Sequence, residues 1–137
     1  MRGAYYCAQA AFQHLVDAKG RLILFSSGGG IEGSGDKPSY SAAKGALRAL
    51  TKSLAREWGP LGVTVNAVSP FASSPSFEAA WQKNPEGKEK TLRLTALHHL
   101  GNAEDDVAPP IVFLLSDMSH YITGSTIMTD GGRYLAL

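Results

Sequence analysis

Apolar residues recur along this chain at two different spacings, and the switches between them divide it into elements. Tyr5, Ala8, Phe12, Leu15 and Val16 share one helical face, so residues 3–19 predict a helix, with Gly20 expected to close its last turn by a positive φ. Arg21-Leu22-Ile23-Leu24-Phe25-Ser26 is continuously apolar in its middle, as in a parallel strand covered on both faces. The glycine-rich stretch 28–36 reads as a flexible loop. Ala43, Ala46, Leu47, Leu50 and Leu54 return to helical spacing, with Ser39 expected as the N-cap and Gly59-Pro60 as the stop. Val63 to Val68 predicts a second buried strand, and Ser125 to Thr129 a last one before the turn Asp130-Gly131-Gly132.

Between residues 70 and 101 the periodicity fades. Pro70, Pro75 and Pro85 interrupt it, Phe77 and Trp81 share a short amphipathic stretch, and Glu86 to Lys90 is charged, so this segment reads as a mobile flap over a substrate. Asn102 opens the next element. Pro109-Pro110 would remove the bonds to the carbonyls of Asp105 and Asp106, so a helix there kinks or restarts at Pro109. Helices alternating with apolar strands predict an α/β fold: a partial doubly wound, Rossmann-like parallel sheet of about three strands with flanking helices, forming one partial domain over residues 1–137.

Composition narrows the partners. The chain has 137 residues, 44% of them hydrophobic and 18% charged, which suits one core. Thirteen Lys and Arg against twelve Asp and Glu give a net charge of +1 with no run of like charges, which argues against nucleic acid and anionic membranes as partners. Cys7 is the lone cysteine, expected as a small buried side chain; it excludes an internal disulfide and fits a reducing compartment, so the cytoplasm is expected. Ala8-Gln9-Ala10 imitates a leader-cleavage site, but Gly3 to Cys7 is too short an apolar core for a leader, and no run is long enough to span a membrane. His14, His98, His99 and His120 show no i, i+4 pairing with a carboxylate, so no metal is expected.

Gly28-Gly29-Gly30-Ile31-Glu32-Gly33 matches G-x-G-x-x-G directly after a strand. A phosphate site of that kind needs a helix opening within the motif and an acid-terminated strand about twenty residues on. Here Ser34 to Pro38 intervene and the later position falls inside the long helix, so a phosphate role is rejected. Phe25 to Gly29 do not form the G-x-S-x-G elbow either, which disfavours a serine hydrolase built on Ser27.

Tyr40 and Lys44 stand four residues apart on one face near a helix start. A free phenol titrates near about pH 10 and is a poor base at neutrality, but an adjacent cation favours phenolate. Such a pair alone is common on solvated helices. Ser27 adds a hydroxyl at the end of a parallel strand, where crevices bind ligands.

In type and order, Ser26-Ser27, Tyr40 with Lys44, Val65-Asn66-Ala67-Val68-Ser69-Pro70 and Tyr121-Ile122-Thr123-Gly124 leading to Asp130-Gly131-Gly132 resemble the short-chain dehydrogenase/reductase family. The resemblance implies an oxidoreductase acting on a small-molecule alcohol or carbonyl with NAD or NADP. Tyr40 would be the acid/base, Lys44 its activator and a ribose ligand, and Ser27 the donor to the substrate oxygen. Where the family has Pro-Gly and then a threonine for the nicotinamide carboxamide, this chain keeps Pro70 and offers Ser74. Asn66 is structural by the same resemblance. The resemblance further implies that the chain is the C-terminal half of the fold, with the Gly-rich phosphate turn absent and the catalytic asparagine placed immediately before Met1, so tight cofactor binding is not expected. An exposed strand edge then favours self-association, and a homo-oligomer is expected. The alternative is a non-catalytic, oligomerising α/β module with a vestigial site.

Overall fold

The computed structural model describes residues 1–135. Helix α1 (Arg2–Asp17) leads into strand β1 (Arg21–Phe25). A one-turn helix α2 (Gly29–Glu32), the long α3 (Pro38–Trp58) and strand β2 (Thr64–Pro70) follow. Helices α4 (Pro75–Gln82), α5 (Pro85–Arg93) and α6 (Ala108–Leu115) precede strand β3 (Thr126–Thr129). The three strands are parallel in the order β1-β2-β3, with Leu22 opposite Val65 and Val68 opposite Ile127.

Side chains alternate across the sheet, and each face has its own core. Leu22 and Val65 pack with Phe12, Leu15, Leu54 and Trp58 of α1 and α3. Ile23, Val68 and Ile127 point the other way, against Ile111 and Leu114 of α6. Helices on both faces of a parallel sheet are the doubly wound arrangement that the apolar pattern predicts. Each fully buried Leu or Val contributes about 1.5–3 kcal/mol of hydrophobic stabilisation, so the central strand, where Val65, Ala67 and Val68 are wholly buried, anchors the fold.

Several local expectations are corrected. Helix α1 is closed by Lys19, which takes φ 46°, while Gly20 donates its amide to Leu15 O at 2.7 Å. Gly20 serves close packing instead, since a Cβ there would lie 2.9 Å from Leu15 Cδ2. Cys7 is exposed, because Ala8 is the α1 residue that faces the core. Lys37, not Ser39, precedes α3, and no side chain caps that end; Pro38, whose φ is already helical, starts it.

Within the segment 70–101 the chain forms two short helices, α4 and α5. Ser74 and Asn84 cap them, accepting from the amides of Phe77 at 3.2 Å and Gly87 at 2.9 Å, with Pro75 and Pro85 in the first turns. Phe71, Phe77 and Trp81 form an edge-to-face cluster beneath them. Asn102 does open the next element, accepting from Glu104 N at 2.7 Å, but residues 103–107 form a π turn and α6 starts at Ala108, one residue before Pro109. Prolines in a first turn cost no hydrogen bond, which explains why the break falls there.

Candidate active site

The carboxyl end of β1 and the first turns of α3 meet through three fastenings. Ser26 Oγ donates to Lys44 O at 3.1 Å. Lys44 Nζ donates to Phe25 O at 2.8 Å. Gly30 approaches so closely that a Cβ on it would lie 2.6 Å from Gly45 N. The β1–α3 connection therefore holds Ser27 and α3 in fixed relation.

Within the stretch 28–36, read from the sequence as a flexible loop, Gly29–Glu32 form the one-turn helix α2. Its amides are already satisfied within the chain: Gly29 N donates to Ser27 Oγ at 3.3 Å, Gly30 N to Ser27 O at 2.8 Å and Ile31 N to Gly28 O at 2.8 Å. The glycines allow close contact, with Gly30 packing on α3 and Gly28 lying under the ring of Tyr134.

Ser27 and Tyr40 converge above Gly29. The point where a Cβ on Gly29 would sit is 3.6 Å from Tyr40 Cε1, 3.8 Å from Ser27 Oγ and 3.7 Å from Ser41 Oγ. Tyr40 is 45% exposed, so its phenol is open to a ligand. Lys44 Nζ lies 5.7 Å from the centroid of that ring, one helical turn along. The sequence singled out these three residues, which the structure places in one neighbourhood. It missed Ser41, whose hydroxyl is buried without a hydrogen-bond partner at the same point, and Gly29, whose missing side chain leaves the space.

Pro70 ends β2 opposite Thr129, at the same end of the sheet as Ser27. The hydroxyls of Ser69 and Thr129 nearby are buried and unpartnered. Ser74 lies at the start of α4, its Oγ accepting from Phe77 N and 3.2 Å from Ser76 Oγ. Asn66 is wholly buried; it donates to Ile122 O at 2.8 Å and accepts from Ser125 N at 3.1 Å, fastening β2 to the turn before β3. An open cavity of about 620 Å³ under α4 and α5 is lined by Trp81, Lys88, His98 and His99 among others, and none of Ser27, Tyr40 or Lys44 borders it. Among the described residues, no group of three His, Cys, Asp or Glu is placed to hold a metal, and no helix is long and apolar enough to cross a membrane.

A family model described as enoyl-(acyl carrier protein) reductase matches residues 1–133. The L-rhamnose 1-dehydrogenase (NAD(P)(+)) of Azotobacter vinelandii is 34% identical over 139 residues, covering 100% of this chain and 54% of the relative. The 3-oxoacyl-(acyl carrier protein) reductase of Staphylococcus aureus is 39% identical over 137 residues, covering 98% of this chain and 54% of the relative. A solved oxidoreductase of the short-chain dehydrogenase/reductase family from Burkholderia thailandensis superposes with a TM-score of 0.88 at 33% identity, over 97% of this chain and 52% of that one. The chain spans about half the length of the curated relatives it matches. The family model over residues 1–133, the curated relatives and the solved structure agree, and the chain belongs to the short-chain dehydrogenase/reductase family.

Proposed function

We propose that this chain carries the proton-transfer half of a nicotinamide-dependent oxidoreductase that interconverts a small alcohol and its carbonyl compound. The observation that carries the reading is the convergence of Tyr40 and Ser27 on the space above Gly29, with the Lys44 ammonium beside the phenol. In the oxidising direction Tyr40 Oη takes the hydroxyl proton of the substrate, and in the reducing direction it returns one to the carbonyl oxygen. Ser27 Oγ donates to that oxygen and fixes its distance from the phenol. The ammonium of Lys44 stabilises negative charge developing on the phenol oxygen.

NAD or NADP, when bound, supplies the hydride acceptor or donor. The groups present fit the nicotinamide end of such a cofactor. Lys44 gives one of its three donors to Phe25 O and keeps the rest for ribose hydroxyls, with Tyr40 alongside. Pro70 and the hydroxyl of Ser74 would border the carboxamide, and the unpartnered hydroxyls of Ser69 and Thr129 add polar groups at the same sheet end. The chain corresponds in this reading to the C-terminal half of its relatives, with the pyrophosphate and adenosine contacts belonging to the other half.

The reading is tested by mixing the purified chain with NADH or NADPH and a panel of ketones. The expected result is slow loss of reduced-cofactor absorbance that disappears in Tyr40→Phe and falls in Ser27→Ala. Neither cofactor binding nor turnover would favour the second reading, a non-catalytic module that forms homo-oligomers. That reading has its own support. β1 has a partner on one side only among the described residues, and Val112, Leu115 and Met118 are exposed on the side of α6. Sedimentation equilibrium distinguishes monomer from oligomer directly, and Phe25→Glu, at an exposed edge position, is expected to shift an oligomer toward monomer.

A further inference from the structure

The turn after β3 brings Tyr134 back to Gly28, the residue after Ser27. Asp130 is buried, and its carboxylate accepts from Gly132 N and Tyr134 N, both at 3.0 Å, which fixes the chain direction after β3. The ring of Tyr134 is thereby laid on Gly28, so tightly that a Cβ on Gly28 would overlap Cε2, Cδ2 and Cζ. Gly28 follows Ser27 directly, and Gly29, above which Ser27 and Tyr40 converge, follows Gly28. The Arg133 guanidinium carbon stands 4.7 Å from the centroid of the Tyr134 ring. Among the described residues no carboxylate lies within salt-bridge distance of Arg133, and Asp130, the nearest in sequence, already serves two amides.

We propose that Tyr134 and Arg133 form a recognition wall of the site, and that Arg133 selects a carbonyl or alcohol substrate bearing a carboxylate. The inference rests on the reading of Ser27 and Tyr40 as the groups that hold the reacting oxygen. A rigid aromatic ring beside Ser27 excludes water from one side of the reacting carbon. A guanidinium stacked on that ring keeps its in-plane N–H groups free, the geometry that grips a carboxylate by two parallel hydrogen bonds. A short 2-oxo acid would place its carbonyl at Ser27 and Tyr40 and its carboxylate toward Arg133.

The test uses the full chain labelled with nitrogen-15, observing the amides of Gly28, Gly29 and Gly30 during titration with 2-oxobutanoate, with butanone and with butanoate. The expected result is a saturable shift with 2-oxobutanoate and binding of butanone weaker by about tenfold or more. Arg133→Met is expected to bring 2-oxobutanoate down to the level of butanone, and Arg133→Lys to restore part of the difference. Equal binding of the acid and the ketone, an unchanged preference in Arg133→Met, or no saturable shift with the acid would each overturn the proposal. Butanoate binding as well as 2-oxobutanoate would overturn the part that places the carbonyl at Ser27. Tyr40→Phe and Ser27→Ala separate the two levels of inference. If they leave both carbonyl ligands unaffected while Arg133→Met still abolishes the preference for the acid, the proton-transfer reading fails and the anion wall stands.

Discussion

Lys44 Nζ and the carbonyl oxygen of Phe25 are joined by a 2.8 Å hydrogen bond, which ties helix α3 to the last residue of β1. The bond does two things at once: it holds the amine beside the Tyr40 ring, and it satisfies a carbonyl at the edge of the sheet. Lys44→Met keeps the side-chain volume and removes the bond. It is expected to lower unfolding free energy by about 1 kcal/mol, read from urea titration. Catalysis, where measurable, is expected to fall much further than stability, whereas Tyr40→Phe at its half-exposed position is expected to leave the urea midpoint nearly unchanged.

Gly30 cannot become alanine without moving backbone. The added methyl would lie 2.6 Å from both Gly45 N and the carbonyl carbon of Lys44. Overpacking of this kind costs about 1–3 kcal/mol, and the strain falls on the Ser27–Lys44 junction. Gly30→Ala is expected to lower thermal stability and to shift the amide resonances of Ser27 and Lys44 together. Gly35→Ala, where nothing lies within 4 Å, serves as the control with little effect.

Asn66 is held in the central strand by two bonds to the segment before β3. Asn66→Leu would leave the Ile122 carbonyl and the Ser125 amide without their partner in a buried setting. A loss of about 2–4 kcal/mol is expected from two such groups, read as a lower urea midpoint with a similar slope.

Asp36 gives a pH signature outside the site. The Ser34 hydroxyl, donating at 2.6 Å, holds its carboxyl below the ordinary value of 3.8, with its own backbone amide and the Lys37 charge acting in the same direction. Because the folded value is the lower one, the stabilisation is fully present above the carboxyl's unfolded value and is lost as pH falls through the folded value. Carbon-13 NMR titration of the Asp36 carboxyl is expected to show this low midpoint. Ser34→Ala is expected to move the midpoint upward.

How much of this was legible in the chain depends on the range of the interaction that decides each feature. The strand Leu22 to Phe25, the helix carrying Tyr40 and Lys44 and the two-faced core follow from local periodicity, because burial on both faces of a sheet requires continuous apolar runs flanked by amphipathic helices. The pairing of Tyr40 with Lys44 was readable for the same reason, since helical geometry fixes neighbours four positions apart. Pro75 and Pro85 read as interruptions along the chain but open helices in the fold, whereas the restart expected at Pro109 falls within one residue of the start of α6 at Ala108; proline's meaning depends on whether the preceding amides already have a helix to belong to.

The sequence by itself determined the main elements, their parallel arrangement and the four-residue spacing of Tyr40 and Lys44 on one helix, since each depends on spacing along one helix or strand. Only the tertiary structure decided that Ser27 meets Tyr40 above Gly29, that Gly30 locks against Gly45, and that Tyr134 folds back onto Gly28 from more than a hundred residues away. Those contacts depend on how closely separate backbones approach. That distance is set by the missing side chains of three glycines, and no periodicity along the chain records it.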